Sequence, residues 1–393
     1  MSTCADRSLT PDIIAIIKAT IPALEAHGVA ITSEMYRRLL ADPAIAEMFD
    51  PTHQSTGMQP RALAMAVLAY AKNIDNLGVL GGAVERIAQK HVSLEIQPEH
   101  YPHVATALLG AISAVLGDAA TPEILDAWGK AYWALADILI GREHQLYDSS
   151  AHAEGGWTGW RAFRIARATA ECATVTSLEL EPVDGKPVIS AVPGQYLGVD
   201  LDIPGHGRTR RNYSITSSPN RTAYRISVRH VQNGVVSGWL NSTACVGTEL
   251  LLSPPAGNFV LPEKIEGPLG FICAGIGITP MIGMLETLAG PDVTTPVHVV
   301  QIAQSSETAP FTARLAELSH NTAGRIQVVT HLTSEDGHPT AAWVAEQLPD
   351  GVSAYLCGPT GFMRDMVQGL PDAGVPANRL RYETFGPDTG VTD

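Results

Sequence analysis

The period of the hydrophobic pattern changes along the chain, and this change limits the folds that the chain can adopt. Over residues 1–147 apolar residues recur at helical spacing, as in "DIIAIIKATIPALEAHG" and "RALAMAVLAYAKNIDNL", and we find no convincing strand. Residues 148–160, "DSSAHAEGGWTGW", are small and polar with a glycine pair, which indicates a linker. The N-terminal part is therefore predicted to be an all-α domain.

Two further domains are predicted after the linker. Residues 161–265 contain alternating segments such as "YRISVRHV" and an Asp-Gly turn, which predict an antiparallel β-barrel. In residues 266–393 strands such as "LGFICA" and "PVHVVQIA" alternate with helices such as "MIGMLETLAG", which is typical of an α/β domain with a doubly wound parallel sheet. The predicted fold class is thus multidomain: all-α, then antiparallel β-barrel, then α/β.

Charge and cysteine content disfavour several classes of partner. The net charge of −14 argues against nucleic acid and anionic membrane surfaces, which attract basic patches. No apolar run in the sequence reaches the length of a membrane span, and the N-terminus does not look like a signal peptide. The five cysteines are widely spread, without a CxxC pair or zinc spacing. We expect a reduced, cytoplasmic monomer without a nucleic-acid partner or stable membrane insertion.

Two polar residues lie on otherwise apolar helical faces of the all-α domain. His91 follows Val84 and Ile87 on one face of "VERIAQKH", and Glu143 follows Leu139 at i+4. Taken alone, such a histidine is more often half-buried with one hydrogen bond than a metal ligand. A carboxylate on an apolar face is costly unless it is paired, and the alternative for Glu143 is a solvated helix end.

The barrel region carries two candidate phosphate-binding segments. In "RNYSIT" the guanidinium of Arg211 can hold a phosphate while Tyr213 packs on a flat ring, although an ordinary surface strand would show the same pattern. In "NGVVSGWL" Gly234 lies in a turn and Ser237 near a helix start, where backbone N–H groups can bind phosphate.

The α/β region carries a glycine-rich turn and a second strand-end motif. In "AGIGITPM" Gly275 and Gly277 allow the backbone to approach a pyrophosphate, while Thr279 can cap the following helix and Pro280 suits its first turn. Pro280 stands where the Rossmann fingerprint has its third glycine, so the segment fits that motif poorly. "YLCGPTGFM" places Cys357 at the carboxyl end of a strand, where ligands bind in a doubly wound sheet.

The order of these motifs, followed by the aromatic of "YETFGP", resembles the ferredoxin–NADP⁺ reductase-like superfamily from the linker onward. The resemblance implies an FAD-binding barrel and a nicotinamide-nucleotide domain. The implied FAD-side residues are Tyr196, Arg211, Asn212, Tyr213, Ser214, Gly234 and Ser237. The implied nicotinamide-side residues are Gly275, Ile276, Gly277, Ile278, Thr279, Pro280, Cys357, Gly358, Pro359, Thr384, Phe385, Gly386 and Pro387, with Phe385 stacking near the flavin ring.

The helical domain resembles a globin, so the whole chain resembles a flavohaemoglobin. The motifs that carry this are "IAQKH", "QPEHY", "LDAWGKAY", "GREHQLY" and "GGWTGWRAFRI". The resemblance implies one haem b with His91 as the proximal iron ligand, which a globin uses. It pairs Tyr101 and Glu143 with that histidine, and a carboxylate bonded to the other ring nitrogen makes imidazole a stronger donor to iron.

On the other side of the haem the resemblance implies Tyr36, Gln59 and Leu63, with Phe49 wedged against the haem. A phenol such as Tyr36 could donate a hydrogen bond to dioxygen, but it could also be an ordinary core aromatic. The resemblance further places Lys90 and Glu383 between haem and flavin, where either could equally be a solvated surface charge.

The implied activity is nitric oxide dioxygenation, in which NAD(P)H reduces FAD, FAD reduces the haem iron, and O₂ and NO are converted to nitrate. Two alternatives stay open: a non-catalytic gas or redox sensor or oxygen-binding protein, and a haem-linked reductase of peroxides or lipid hydroperoxides. Either NADH or NADPH is the expected reductant. The segment "QIAQSSETAPF" has no Arg or Lys to meet a 2′-phosphate, which favours NADH, although Ser305 or Ser306 could bond that phosphate.

Overall fold

The computed structural model describes residues 9–46 and 57–386, and the chain divides after Ser149 into two compact units. Phe49 and Pro387, both predicted site residues, lie outside the described residues. The first unit is helical and the second contains both sheets. This agrees with the predicted order of all-α, antiparallel β and α/β regions.

In residues 9–46 and 57–149 the helical unit contains helices α1 to α7. Their bounds are Pro11–Ala19, Ile21–Leu39, Pro43–Ala46, Met58–Lys72, Gly81–Ser93, Tyr101–Leu116 and Pro122–His152, with short 3-10 turns at Leu77–Leu80, Pro98–His100 and Gly117–Ala119. Apolar residues at helical spacing, such as Ile31, Met35 and Ile112, form its main core. A second cluster around Ala88, Tyr101 and Leu139 joins α5, α6 and α7. The second cluster is the part of the unit that surrounds His91.

The last helix extends into the predicted linker. Helix α7 ends at His152, so residues 148–152 are helical and the prediction of a linker over all of 148–160 was wrong. The segment "DSSAH" has neither glycine nor proline, and the helix ends just before Gly155, which has a φ of +76°.

One helix is longer and more apolar than the sequence analysis allowed. The helical stretch Pro98–Ala119, which includes α6, is 22 residues long and contains an 18-residue window with a mean hydropathy of 1.3, enough by length and composition to cross a membrane. The expectation that no segment reaches this length was therefore wrong. Leu108, Ala111 and Ile112 of this helix are buried in the main helical core.

The second unit begins with an antiparallel sheet of six strands. Strands β1 to β6 span Arg161–Cys172, Val175–Pro182, Tyr196–Ile203, Gly207–Ser214, Tyr224–Arg229 and Glu249–Leu252, and helix α8 spans Val235–Ser242. Their order is β4-β3-β6-β1-β2-β5. An antiparallel bridge between Ile215 and Ile226 joins the chain just beyond β4 to β5 at the opposite edge, which curls the sheet towards the predicted barrel.

A parallel sheet of five strands follows. Strands β7 to β11 span Leu269–Ala274, Val297–Ala303, Ile326–Leu332, Ser353–Cys357 and Leu380–Glu383. Helices α9 to α13 span Thr279–Leu288, Thr312–Asn321, Thr333–Asp336, Ala341–Glu346 and Thr360–Asp372, with 3-10 turns at Gly275–Ile278, Ser306–Thr308 and Ala377–Arg379. The strand order is β11-β10-β7-β8-β9. The order reverses between β7 and β10, and ligands bind at such a switch point in doubly wound sheets.

Candidate functional site

Three helices bring His91, Tyr101 and Glu143 together. Nδ1 of His91 on α5 lies 2.7 Å from Oε1 of Glu143 on α7, and the Tyr101 hydroxyl on α6 donates to the same oxygen at 2.6 Å. Nδ1 and the Tyr101 hydroxyl are 3.2 Å apart. Because an ionised carboxylate only accepts hydrogen bonds, we assign the ring proton to Nδ1. Nε2 is then the nitrogen with a lone pair for a metal ion.

The side chains of this group differ in their exposure to solvent. The Glu143 side chain is 3% exposed, whereas the His91 side chain is 31% exposed. Burial, followed by the hydrogen bond to Glu143, raises the pKa of Tyr101 far above its ordinary value, so the phenol is a protonated donor. Oε2 of Glu143 has no hydrogen-bond partner among the residues that the structure describes. Glu143 is therefore a paired, buried carboxylate and not a solvated helix end.

The surroundings of His91 fit a haem. The chemistry of the donor set requires one imidazole nitrogen open to iron and the other bonded to an acceptor, and His91 provides both. The Tyr132 hydroxyl donates to the Tyr101 carbonyl at 2.7 Å, and that of Tyr147 donates to the Ile96 carbonyl at 2.8 Å. These bonds fix the backbone of the segment that follows the histidine, as far as Tyr101.

The predicted distal residues also meet. Tyr36 on α2 is buried and its side chain is hydrogen-bonded to Gln59, in the first turn of α4, while Leu63 packs against the helical core. Burial raises the pKa of Tyr36 to about 12, so this phenol also stays protonated at neutral pH. The structure therefore supports a paired phenol, although burial alone would also suit a core aromatic.

Sequence reasoning missed a buried residue beside Tyr36. Thr32 lies one turn before Tyr36 on α2, is 1% exposed, and its hydroxyl donates to the Pro60 carbonyl at 2.7 Å. Gln59 directly precedes that proline, so the bond holds the start of α4 beside α2. The i, i+4 spacing of Thr32 and Tyr36 was the available signal, because it places both on one helical face.

The predicted FAD-binding residues Arg211–Ser214 lie on β4, which pairs with β3. Tyr196 on β3 pairs with Ser214, while Gly198 pairs with Asn212, so the predicted residues of both strands come together. Arg211 and Tyr213 point to one face of the sheet because side chains alternate along a strand. A side chain at Gly257 would come within 2.8 Å of the Tyr196 ring, so glycine lets the backbone pass over that ring.

The predicted turn before α8 is also present. Gly234 directly precedes α8, and the Ser237 hydroxyl accepts from the backbone N–H of Val231 at 3.2 Å. A Cβ atom at Gly234 would lie 2.5 Å from the Ser237 hydroxyl oxygen, so the turn needs a residue without a side chain.

The two α/β motifs meet at the switch point of the sheet. Gly275 has a φ of +55°, and a Cβ atom at Gly277 would lie 2.2 Å from the Cys357 carbonyl oxygen. Pro280 is in the first turn of α9, as predicted. The prediction that Thr279 caps this helix was wrong, because its hydroxyl donates to the Ile276 carbonyl at 2.8 Å instead of accepting from a helix N–H.

The C-terminal strand adds further predicted residues to this edge. Glu383 on β11 pairs in register with Cys357 on β10, and Phe385 follows with 47% of its surface exposed. Burial, and then the charge of Glu383, raises the pKa of Cys357 well above its usual value, so it is a neutral thiol. Lys90 and Glu383 belong to different units, and their proposed joint role stays a prediction.

Comparisons with known proteins agree with this geometry. Residues 33–139 match the globin family, 163–261 match the oxidoreductase FAD-binding domain and 271–368 match the oxidoreductase NAD-binding domain. A flavohemoprotein of Xylella fastidiosa is 44% identical over 388 residues, covering 97% of this chain and 98% of that protein. A flavohemoprotein of Deinococcus radiodurans is 46% identical over 393 residues, covering 96% and 97%.

The chain belongs to the flavohaemoprotein family. A solved flavohemoglobin of Malassezia yamatoensis, with bound FAD and haem, superimposes with a TM-score of 0.87 at 29% identity, over 96% of this chain and all of that one. The FAD/NAD-binding domain of a nitric oxide dioxygenase from Vibrio cholerae is 34% identical, with a TM-score of 0.53, and covers 58% of this chain and 99% of that one. This flavohaemoprotein is an oxidoreductase with haem, FAD and a nicotinamide dinucleotide as cofactors.

Proposed function

We propose that this flavohaemoprotein is an NAD(P)H-dependent nitric oxide dioxygenase. When bound, the dinucleotide supplies two electrons, FAD divides them, and haem iron uses them singly to combine O₂ with NO as nitrate. Each nitrate requires one electron, so one dinucleotide supports two nitrate ions. The two alternatives are gas sensing and the reduction of peroxides or lipid hydroperoxides. The assay described below distinguishes them from NO dioxygenation.

The bond between His91 Nδ1 and Glu143 Oε1 carries the proposal. A buried carboxylate accepting from one ring nitrogen increases the electron donation of the other nitrogen to iron. Stronger donation favours activation of dioxygen over simple reversible storage, in the way that strong axial donors assist O–O chemistry in other haem proteins. A storage protein has no need of a charge buried at this position, where an isolated carboxylate would be costly.

The distal side supplies a neutral donor. Because the raised pKa keeps Tyr36 protonated, its hydroxyl can donate to a partly negative dioxygen molecule in the pocket. Gln59 is bonded to this phenol, which limits the rotation of the hydroxyl. The same pair can exclude water from the site, and the small ligands O₂ and NO need no larger opening.

The turn after β8 favours NADH over NADPH as the reductant. The turn after β8 is closed by Ser305 and Thr308, whose side chain and backbone bond each other, and Glu307 between them is exposed. A 2′-phosphate brought to this turn would meet a carboxylate and no basic residue of the same segment. The cytoplasmic location and the monomeric state stay predictions.

The proposal is tested by adding NO to purified holoprotein with NADH under air, with an NO electrode, an absorbance record of NADH and a nitrate assay. We expect rapid NO loss, nitrate as the product and NADH oxidation that accelerates with each NO addition. His91→Ala is the matched negative control. A sensor would bind NO without sustained NADH oxidation, and a peroxide reductase would oxidise NADH with an alkyl hydroperoxide but not with NO; either result rejects the proposal.

A further inference from the structure

We propose that Glu286 is a positioning residue for hydride transfer. In this proposal it fixes helix α9, and with it the nicotinamide-side turn Gly275–Ile278, on the chain segment that continues the flavin-binding strand. Hydride transfer moves two electrons and one proton together from the reduced nicotinamide to FAD, so it depends strongly on the distance between the two rings. The inference concerns the reductase half and stands whichever substrate the haem uses.

Both carboxylate oxygens of Glu286 accept hydrogen bonds. Its side chain is 7% exposed. Oε1 accepts from Nη2 of Arg225 at 3.1 Å and from Nε of Arg314 at 3.0 Å, and Oε2 accepts from the backbone N–H of Ser218 at 3.0 Å. A carboxylate with this set of partners is held in one orientation.

The partners of Glu286 come from both halves of the reductase. Ser218 lies four residues beyond Ser214, the last residue of β4, and Arg225 is on β5. Arg225 is itself tied to the same segment, because its Nε donates to the Thr216 hydroxyl at 3.1 Å and its Nη2 donates to the Thr216 carbonyl. Arg314 lies on α10 of the α/β domain. Glu286 thus links the barrel to the nucleotide domain.

Helix α9 also approaches this segment at backbone distance. A Cβ atom at Gly283 would lie 3.0 Å from the Ser217 carbonyl oxygen and 3.5 Å from that of Ile215. The glycine is buried, one turn before Glu286. Any side chain here would push the helix away from the barrel by a few tenths of an ångström.

The position of α9 determines the position of the nicotinamide-side turn. The turn Gly275–Ile278 runs directly into α9 at Thr279, with Pro280 restricting the first turn of the helix. A shift of the helix is therefore passed to Gly277, which touches the Cys357 backbone. Glu286 and Gly283 together set how far this turn lies from Arg211–Ser214 on β4.

Glu286→Gln is the informative substitution because it keeps the volume of the side chain. A glutamine presents an amide NH₂ where Glu286 has a second acceptor oxygen, so this NH₂ must face either the Ser218 N–H or the two guanidinium groups. A donor then faces a donor, and α9 must move. The matched control is Glu317→Gln, because Glu317 is the exposed second partner of Arg314, at 2.7 Å from Nη1.

The test is anaerobic stopped-flow reduction of FAD by NADH in the full-length holoprotein. For Glu286→Gln we expect the limiting rate of flavin reduction to fall about tenfold to a hundredfold, the range for a misplacement of up to about 1 Å. FAD content and the NADH concentration at half-maximal rate should stay near those of the wild type. Glu317→Gln should reduce FAD at the wild-type rate.

Gly283→Ala tests the position of helix α9 without changing a charge. It replaces Glu286→Gln as the test of the proposal if that variant does not fold. It should also slow flavin reduction, with FAD retained. Deuterated NADH provides a readout that general loss of stability would not alter: the isotope effect on flavin reduction should become more temperature-dependent in both variants. Wild-type reduction rates in the folded variants, or slowing that only follows loss of FAD, would overturn the proposal, as would equal slowing in Glu317→Gln.

Discussion

Replacement of Glu143 by Gln should raise the reduction potential of the haem. The substitution keeps an oxygen that can accept from His91 Nδ1 but removes the charge that lies 2.7 Å from that nitrogen. A hydrogen bond to a charged group contributes about 1.5–3 kcal/mol and a neutral one about 0.5–1.5 kcal/mol, so the loss is about 1–1.5 kcal/mol. The ferric state carries more positive charge than the ferrous state and therefore loses more stabilisation.

This free energy converts to a potential. Because a tenfold change in an equilibrium constant is about 1.36 kcal/mol, or about 59 mV for one electron, the haem midpoint should rise by up to roughly 65 mV. Spectroelectrochemical titration measures the midpoint, and resonance Raman of the ferrous protein should show a weaker iron–histidine stretch. The buried amide NH₂ takes the place of Oε2, which has no partner in the described part of the chain, so some loss of stability is also expected.

Tyr101→Phe is the matched control for this prediction. It removes the second donor to Oε1, at 2.6 Å, but leaves the charge of Glu143 in place. The carboxylate then interacts more strongly with His91, so the midpoint should fall or stay constant. An unchanged or lower midpoint in Glu143→Gln, or a rise of equal size in Tyr101→Phe, would refute the view that the charge of Glu143 acts through the proximal histidine.

Three further outcomes follow from the site. Tyr36→Phe should speed O₂ dissociation about tenfold to a hundredfold, because it removes a hydrogen bond of about 1.5–3 kcal/mol, and flavin reduction should be unchanged. Since the pKa of Tyr36 is raised to about 12, the rate of O₂ dissociation from the wild type, measured by stopped flow, should be constant from pH 7 to pH 10. Arg211→Ala should lose FAD on gel filtration, and retention at wild-type content would contradict a phosphate-binding role. His91→Ala should lose haem or its five-coordinate ferrous spectrum, whereas the exposed His144→Ala should keep both.

The fold was largely predictable because its signals are local. Helical spacing identified the all-α unit, and strands β7, β8 and β10 of the parallel sheet carry apolar runs that are buried on both faces. Strand β11, at Leu380–Glu383, was not predicted as a strand because its residues are only partly buried at the edge of the sheet. The end of helix α7 differs from the prediction because residues 148–152 are small and polar, which is typical of a linker. They contain neither glycine nor proline, so the long preceding helix continues through them.

The site was predictable where a motif lies within one segment and unpredictable where distant segments meet. "RNYS" and "GIGITP" identified the flavin and nucleotide turns, and the resemblance supplied the pairing of His91 with Glu143. Thr32 belongs to no motif and shares only a helical face with Tyr36, and Glu286 gave no sequence signal. Thr32 depends on its bond to the Pro60 carbonyl. Glu286 depends on its bonds to Ser218, Arg225 and Arg314. The spacing of apolar residues in a sequence does not indicate partners that lie this far away in the chain.

The most direct test of the proposed activity is the fate of labelled oxygen. Purified holoprotein with NADH and ¹⁸O₂ is given NO, and the product is analysed by mass spectrometry. The account predicts nitrate in which both atoms of one O₂ molecule are added to the unlabelled NO, with two nitrate ions formed for each NADH oxidised. Nitrite or unlabelled nitrate as the main product, or NADH oxidation that is independent of NO, would contradict nitric oxide dioxygenation by this chain.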